Sequence, residues 1–181
     1  QYTYHNAKNA ETFGVELDVK KNLDFIGLRG LSFVCNAAYI YSRVRFEEGA
    51  PERDRPLAGQ SPYLVNAGFF YQYDDKGISA SLLYNRIGKR IESVGVPMQN
   101  QDEDIPDIYE MPRNSLDLTF SKKIGKIVEI KAGIQDILNS KVEYKQFVKL
   151  TDDKGGKSER EQLIRSYRPG VDINIGVSLR F

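Results

Sequence analysis

The sequence predicts an all-β, antiparallel, up-and-down wall of about seven strands, built to cross a membrane as part of a barrel. Three observations predict it: sustained apolar/polar alternation, connections that are long and short in turn, and strands longer than a soluble sheet uses. The last segment, Val171 to Phe181, carries the alternation most plainly. Val171, Ile173, Ile175, Val177, Leu179 and Phe181 fall on one side, and Asp172, Asn174, Gly176, Ser178 and Arg180 on the other.

Six earlier segments repeat the pattern. Phe13, Val15, Leu17 and Val19 oppose Glu16, Asp18 and Lys20. Leu31, Phe33, Cys35, Ala37, Tyr39 and Tyr41 oppose Ser32, Asn36 and Ser42, although Val34 and Ile40 blur this alternation. Tyr63, Val65, Ala67, Phe69, Tyr71 and Tyr73 oppose Asn66, Gly68 and Gln72, and Ile78, Ala80, Leu82 and Tyr84 oppose Ser79, Ser81 and Asn85. Leu116, Leu118 and Phe120 then oppose Asp117, Thr119 and Ser121, and Val128, Ile130, Ala132 and Ile134 oppose Glu129, Lys131 and Gln135. Helical periodicity is nowhere sustained; "KSEREQLIRS" is mostly charge and reads as loop.

The connections "DDKG" and "IGK" are tight, whereas "EEGAPERDRPLAGQSP", "VGVPMQNQDEDIPDIYEMP" and "VEYKQFVKLTDDKGGKSEREQLIRS" are long and polar. In an up-and-down sheet this order puts every long loop at one rim and every tight turn at the other, the asymmetry of outer-membrane barrels. Segments of about nine to twelve residues suit a hydrocarbon layer crossed at a tilt, where soluble strands average about five to six. Tyr39, Tyr41, Tyr71, Tyr73 and Tyr84 lie near strand ends, where an interfacial aromatic girdle belongs. The competing reading is a soluble antiparallel β-domain with one packed face, acting as a ligand- or partner-binding module.

Composition narrows the function classes. At 40% hydrophobic residues the chain is not disordered, and a net charge of +1 with scattered basic residues excludes a nucleic-acid binder. One cysteine, Cys35, forms no internal disulfide. With a single histidine, His5, in the poorly patterned start, no catalytic triad or histidine metal site assembles, so neither an enzyme nor a cofactor is expected. Asp102, Glu103, Asp104 and Asp107 gather in one long loop, but without the spacing or glycine of a calcium loop they read as a solvated acidic turn. Asp152, Asp153, Gly155 and Gly156 read as a turn tip. Arg86 and Arg90 share the phase of Ile78 to Tyr84. They therefore emerge above the apolar band, placed either to meet outer-leaflet lipid phosphates or to bond within the loop rim.

Specific runs then resemble a known family. "RPLAGQSPYLVNAGFFYQ" (55–72), "LLYNRIGKRI" (82–91), "PRNSLDLTFSKKIG" (112–125), "IKAGIQDILNSK" (130–141), "YRPGVDINIGVSLRF" (167–181) and "NAETFGVELDV" (9–19) resemble the C-terminal barrel of TonB-dependent outer-membrane receptors. The likeness is to the Bacteroidetes type that carries a carboxypeptidase-regulatory-like N-terminal extension. The resemblance implies that residues 1–181 are the C-terminal part of a 22-stranded barrel in the cell outer membrane. Its partners would be an N-terminal plug and the remaining strands of the same protein, TonB acting through the plug, the barrel-assembly machinery and outer-membrane lipid. The implied function is import of a scarce ligand of the siderophore, cobalamin, glycan or peptide class. Ile173, Ile175, Val177, Leu179 and Phe181 resemble the terminal strand read by the assembly machinery; an interfacial lipid anchor at Phe181 fits the same pattern.

Overall fold

The computed structural model describes residues 6–98, 104–151 and 157–179. Eleven strands form two antiparallel sheets, with no α-helix among the described residues and hence none long and apolar enough to cross a membrane. The larger sheet has seven strands: β1 (Asn9–Asn22), β2 (Leu31–Arg45), β3 (Tyr63–Tyr73), β4 (Ile78–Ile87), β7 (Arg113–Ile124), β8 (Val128–Gln135) and β11 (Asp172–Leu179). They lie side by side in that order, so the seven segments read from alternation are neighbours in a meander. The sheet is open, with β1 and β11 at its edges.

The tight turns form as their residues dictate. Asp74–Lys76 make one turn of 3-10 helix ended by Gly77 in the left-handed region, and Gly125 takes the same region in the β7–β8 turn. In the β1–β2 turn Gly30 has φ of 75°, and a Cβ there would stand 2.2 Å from the Gln72 carbonyl oxygen, so this position excludes every side chain.

Four further strands lie where the sequence read connections, and this is the main correction. β5 (Arg90–Ser93), β6 (Ile108–Glu110), β9 (Val142–Thr151) and β10 (Lys157–Tyr167) form a second sheet in the order β10-β9-β6-β5. The segment read as a charged loop is therefore a strand. Its Lys, Glu, Arg and Gln are good helix formers, but pairing along all of β9 outweighs that weak local preference. The second sheet repeats the lateral order β11-β8-β7-β4, because each pair is one strand interrupted at the same level. The interruptions are Gly88 with Lys89, Met111 with Pro112, residues 136–141 and residues 168–171. Asp136 and Asn139 have positive φ, and Pro112 and Pro169 lack the N–H that a ladder needs. This joint is held by Arg113 paired with Asp136, by the Asp136 N–H donating to Asp117 at 2.8 Å, and by Arg168 donating to the Asn139 carbonyl at 2.6 Å.

Residues directly opposite share a face, and the larger sheet has one apolar face and one mixed face, where Val34, Ile40, Leu64, Phe70 and Leu83 stand among polar residues. Register carries the apolar face without a break through Phe13–Tyr41, Val15–Tyr39, Phe33–Phe69, Phe69–Leu82, Leu82–Leu118, Leu118–Ile134 and Ile134–Ile173. No charged side chain interrupts this face between Glu11, Arg43 and Arg86 at the loop rim and Lys21 and Lys122 at the turn rim. Lys122 bends to the rim and donates to the Lys76 carbonyl, the snorkelling expected of a cation at an apolar border.

Among the described residues nothing covers this face. Val15 is 73% exposed and Ile175 76%, while among the described residues the buried hydrophobic ones are Ala38, Val44, Ile91 and Val142. The accessible surface is 13269 Å² for 20.6 kDa, where a compact globule of that mass exposes about 8,900 Å².

The band is also staggered. Register passes Lys21, at the turn-side end of the β1 row, through Phe33, Phe69, Leu82, Leu118 and Ile134 to Ile173, at the loop-side end of the β11 row. Its centre thus shifts by about eight residues, roughly 27 Å, across strand spacings that total about 29 Å. A level band then requires strands tilted by about 43°, within the range of membrane barrels. On β3 the row from Tyr63 to Tyr73 spans about 33 Å along the strand and, so tilted, about 25 Å in height.

The opposite face carries a polar ladder. Asp18, Asn36, Asn66, Asn85 and Ser115 share one row over five strands. Asn36 donates to Asp18 at 3.2 Å and Asn85 to Asn66, while Ser81 meets Thr119 at 2.7 Å and Ser79 meets Ser121 at 2.8 Å.

Candidate functional site: a cleft among the long loops

Beyond the joint, the long connections enclose a cleft of about 320 Å³. The β2–β3 connection supplies one wall. β2 runs past the apolar band, and a bridge between Val44 and Arg55, with N–H to O distances of 2.8 and 3.2 Å, folds residues 46–55 back over its end. Asp54 fixes that fold by accepting from the Phe46 N–H at 3.2 Å and from Arg43 at 2.9 Å. Its carboxyl is held below the ordinary 3.8, first by the Phe46 N–H and then by the Arg43 guanidinium.

The β5–β6 connection supplies the second wall. Val96 and Ile105 bridge through two bonds of 2.9 Å, and two aspartates cap the hairpin from inside. Asp107 accepts from the Gly95 N–H at 2.8 Å, and Asp104 accepts from the Met98 N–H at 2.7 Å while pairing with Arg53 of the first wall. The Met98 N–H, followed by Arg53, keeps the Asp104 carboxyl below its ordinary value. The Arg53–Asp104 pair is thus the clasp between the two walls.

The second sheet provides the floor. Tyr109 of β6 and Phe147 of β9 meet edge to face at 5.8 Å, and Lys149 and Glu159 flank them. Lys89, in the β4–β5 joint, sets its ammonium 4.2 Å from each ring centroid. Burial, and then the charge of Asp107, raises the Tyr109 hydroxyl above its ordinary value, so it stays protonated and donates to Asp107 at 3.4 Å. Ile91, 2% exposed, anchors this floor to the β2–β3 connection through its carbonyl, which accepts from Gly59 at 2.8 Å.

The residues singled out in the sequence divide between two places. Asp104 and Asp107 line the cleft, but as caps of backbone amides rather than as a solvated turn. Asp102, Glu103, His5, Asp152, Asp153, Gly155, Gly156 and Phe181 lie outside the described residues. Among the described residues no cluster of His, Cys, Asp and Glu is arranged to hold a metal ion. Ile173, Ile175, Val177 and Leu179 lie on the edge strand β11, all exposed. Arg86 and Arg90 are separated by the joint. Arg86 donates to neutral oxygens, Tyr63 Oη at 3.2 Å and Asn114 Oδ1 at 2.7 Å, whereas Arg90 donates from both Nε and Nη2 to one oxygen of Glu110, Oε2, at 2.9 and 2.7 Å. Sequence reading did not single out Arg53, Tyr109, Phe147, Lys149 or Glu159, which are brought together from separate loops.

The cleft has charged walls and an aromatic floor. No protein-family model matches the chain, and no solved structure matches it. A curated relative, transferrin-binding protein A of Haemophilus influenzae (strain ATCC 51907 / DSM 11121 / KW20 / Rd), is 25% identical over 152 residues, covering 76% of this chain and 16% of that protein. The chain thus spans a small part of that relative's length.

Proposed function

We propose that this chain is part of the barrel wall of a TonB-dependent outer-membrane receptor that imports a scarce ligand, with the loop cleft as a contact surface for that ligand. The observation that carries the reading is the uncovered, charge-free band running through seven bonded strands at a stagger that suits a tilted barrel. Such a band is intolerable in water and required in lipid. The same exposure counts against a soluble binding module, which needs an interior on that side. The polar ladder then faces the lumen.

On this reading the remaining strands and a plug belong to the same protein and TonB couples through the plug. The terminal strand, with Ile173, Ile175, Val177, Leu179 and Phe181, is captured by the barrel-assembly machinery through its free edge. Arg86, whose charge is met by neutral oxygens, sits where an outer-leaflet phosphate reaches it. The ligand belongs to the siderophore, cobalamin, glycan or peptide classes, and a protein ligand joins them because the relative is named for binding transferrin. The Bacteroidetes type with a carboxypeptidase-regulatory-like extension is the form we infer, and the role is binding and transport rather than catalysis.

The test uses the native cysteine. Cys35 lies on the apolar face opposite Val19 and Ala67, and Asn36 lies in the polar ladder. In membranes containing the full-length protein, a nitroxide at Cys35 should be relaxed by oxygen and shielded from a polar nickel chelate. One at Asn36→Cys in a Cys35→Ser background should show the reverse. Equal chelate access at both positions, with recovery of the protein from the soluble periplasm, rejects the membrane reading.

A further inference from the structure

The aromatic floor of the cleft points to the kind of group it accepts. Tyr109 and Phe147 stand edge to face at 5.8 Å, and the Lys89 ammonium lies 4.2 Å from both ring centroids. An ammonium shared by two rings at that distance is an aromatic cage already holding a cation, since the ring faces carry the negative part of the quadrupole. Both rings also wall the cleft, which at about 320 Å³ admits a side chain and the backbone carrying it.

The charges around the rings favour the same ligand. Arg53 is paired with Asp104, and Lys149 also acts on that carboxylate. Asp107 and Glu159 are the carboxylates that act on Tyr109. The Tyr109 end of the cleft is therefore negative, and the cation that answers it is supplied by the chain's own joint.

We propose that the cleft binds an ammonium-bearing ligand, a lysine-containing peptide segment, on the Tyr109–Phe147 pair, in competition with Lys89. This deepens the importer reading and rests on it only for the source of the ligand. Lys89 connects β4 to β5, so the incoming ammonium replaces a contact made by the joint itself. The exchange is one cation for another and leaves the charge over the rings unchanged, while the ligand adds its backbone contacts to the walls.

Calorimetric titration of the full-length protein in detergent with trilysine and triglutamate tests this. Trilysine should bind, more weakly as salt rises, and triglutamate should not. Lys89→Met empties the cage while keeping an apolar stem, and should tighten trilysine about threefold to tenfold. Phe147→Leu should weaken it by a similar factor, and Tyr109→Phe, which keeps the ring, should leave it within about twofold. A variant that misfolds is recognised by loss of heat-modifiable mobility, and the Tyr109→Phe and Lys89→Met pair then decides. Unchanged or weaker trilysine binding in Lys89→Met, or equal binding of triglutamate, overturns the proposal. Loss of trilysine binding in a protein that still fractionates with the outer membrane overturns the cation site alone; release from the membrane overturns the importer reading.

Discussion

Replacing Ile175 by lysine separates the two media that the apolar face could meet. Ile175 is 76% exposed and pairs with Ala132 near the middle of the β11 row. In water, lysine at so exposed a position changes stability by no more than about 0.5 kcal/mol. In a bilayer the same cation near the midplane costs about 2–4 kcal/mol, falling to about 0–1 kcal/mol near the interface. Leu179 lies on the same face toward the turn rim, about 10 Å lower along the membrane normal at the tilt derived above. Ser178 faces the other way, opposite Glu129. The expected order of loss is therefore Ile175→Lys largest, Leu179→Lys small and Ser178→Lys negligible. Reversible folding of the full-length protein into phospholipid vesicles, followed by urea titration, reads the differences. Equal midpoints for Ile175→Lys and Ser178→Lys would refute the assignment of that flank to lipid.

Three further outcomes follow from the cleft and the joint. Gly95→Ala puts a methyl group 1.9 Å from the Ile105 carbonyl oxygen, so the hairpin that presents Asp104 and Asp107 must open, and ligand binding should fall at least tenfold by titration while membrane insertion is unaffected. Asp54 and Asp104 have depressed carboxyls, so the order they give the loops is complete above the ordinary 3.8 and is lost as pH falls through their lower folded-state values. The protection of the Phe46 and Met98 amides, measured as exchange relative to the intrinsic rate at each pH, should fall in that acid range and be constant above about pH 5. Asp136→Asn removes the charge paired with the half-buried Arg113 and should cost about 1–3 kcal/mol locally, read as faster exchange at Met111 and Ile137; unchanged exchange would show that the pair does not hold the joint.

The wall was legible because one face of β1–β4, β7, β8 and β11 is kept apolar and successive residues alternate across the sheet; on the importer reading it is lipid and lumen that impose the two polarities. Above the joint both faces of a strand are wetted or packed by loops. In β9 Phe147 faces the cleft beside Lys145 and Lys149, and no period-two signal remains to mark the strand. β10 reads by composition as anything but a strand, and its conformation comes from β9. The cleft was the least legible part, because its clasp joins Arg53 to Asp104 across 51 positions and its cage takes Lys89, Tyr109 and Phe147 from a joint and two strands. Acidic residues were noticed as a cluster; that two of them turn inward to cap Gly95 and Met98 depends on a hairpin only the fold reveals.

The shared level at which four strands break off has a consequence for descent. Substitution, lengthening or wholesale exchange of what lies past that level disturbs no rung of the ladder beneath. On the importer reading proposed above, a lineage can therefore recombine new ligand-reading extensions onto an inherited scaffold without solving membrane insertion again.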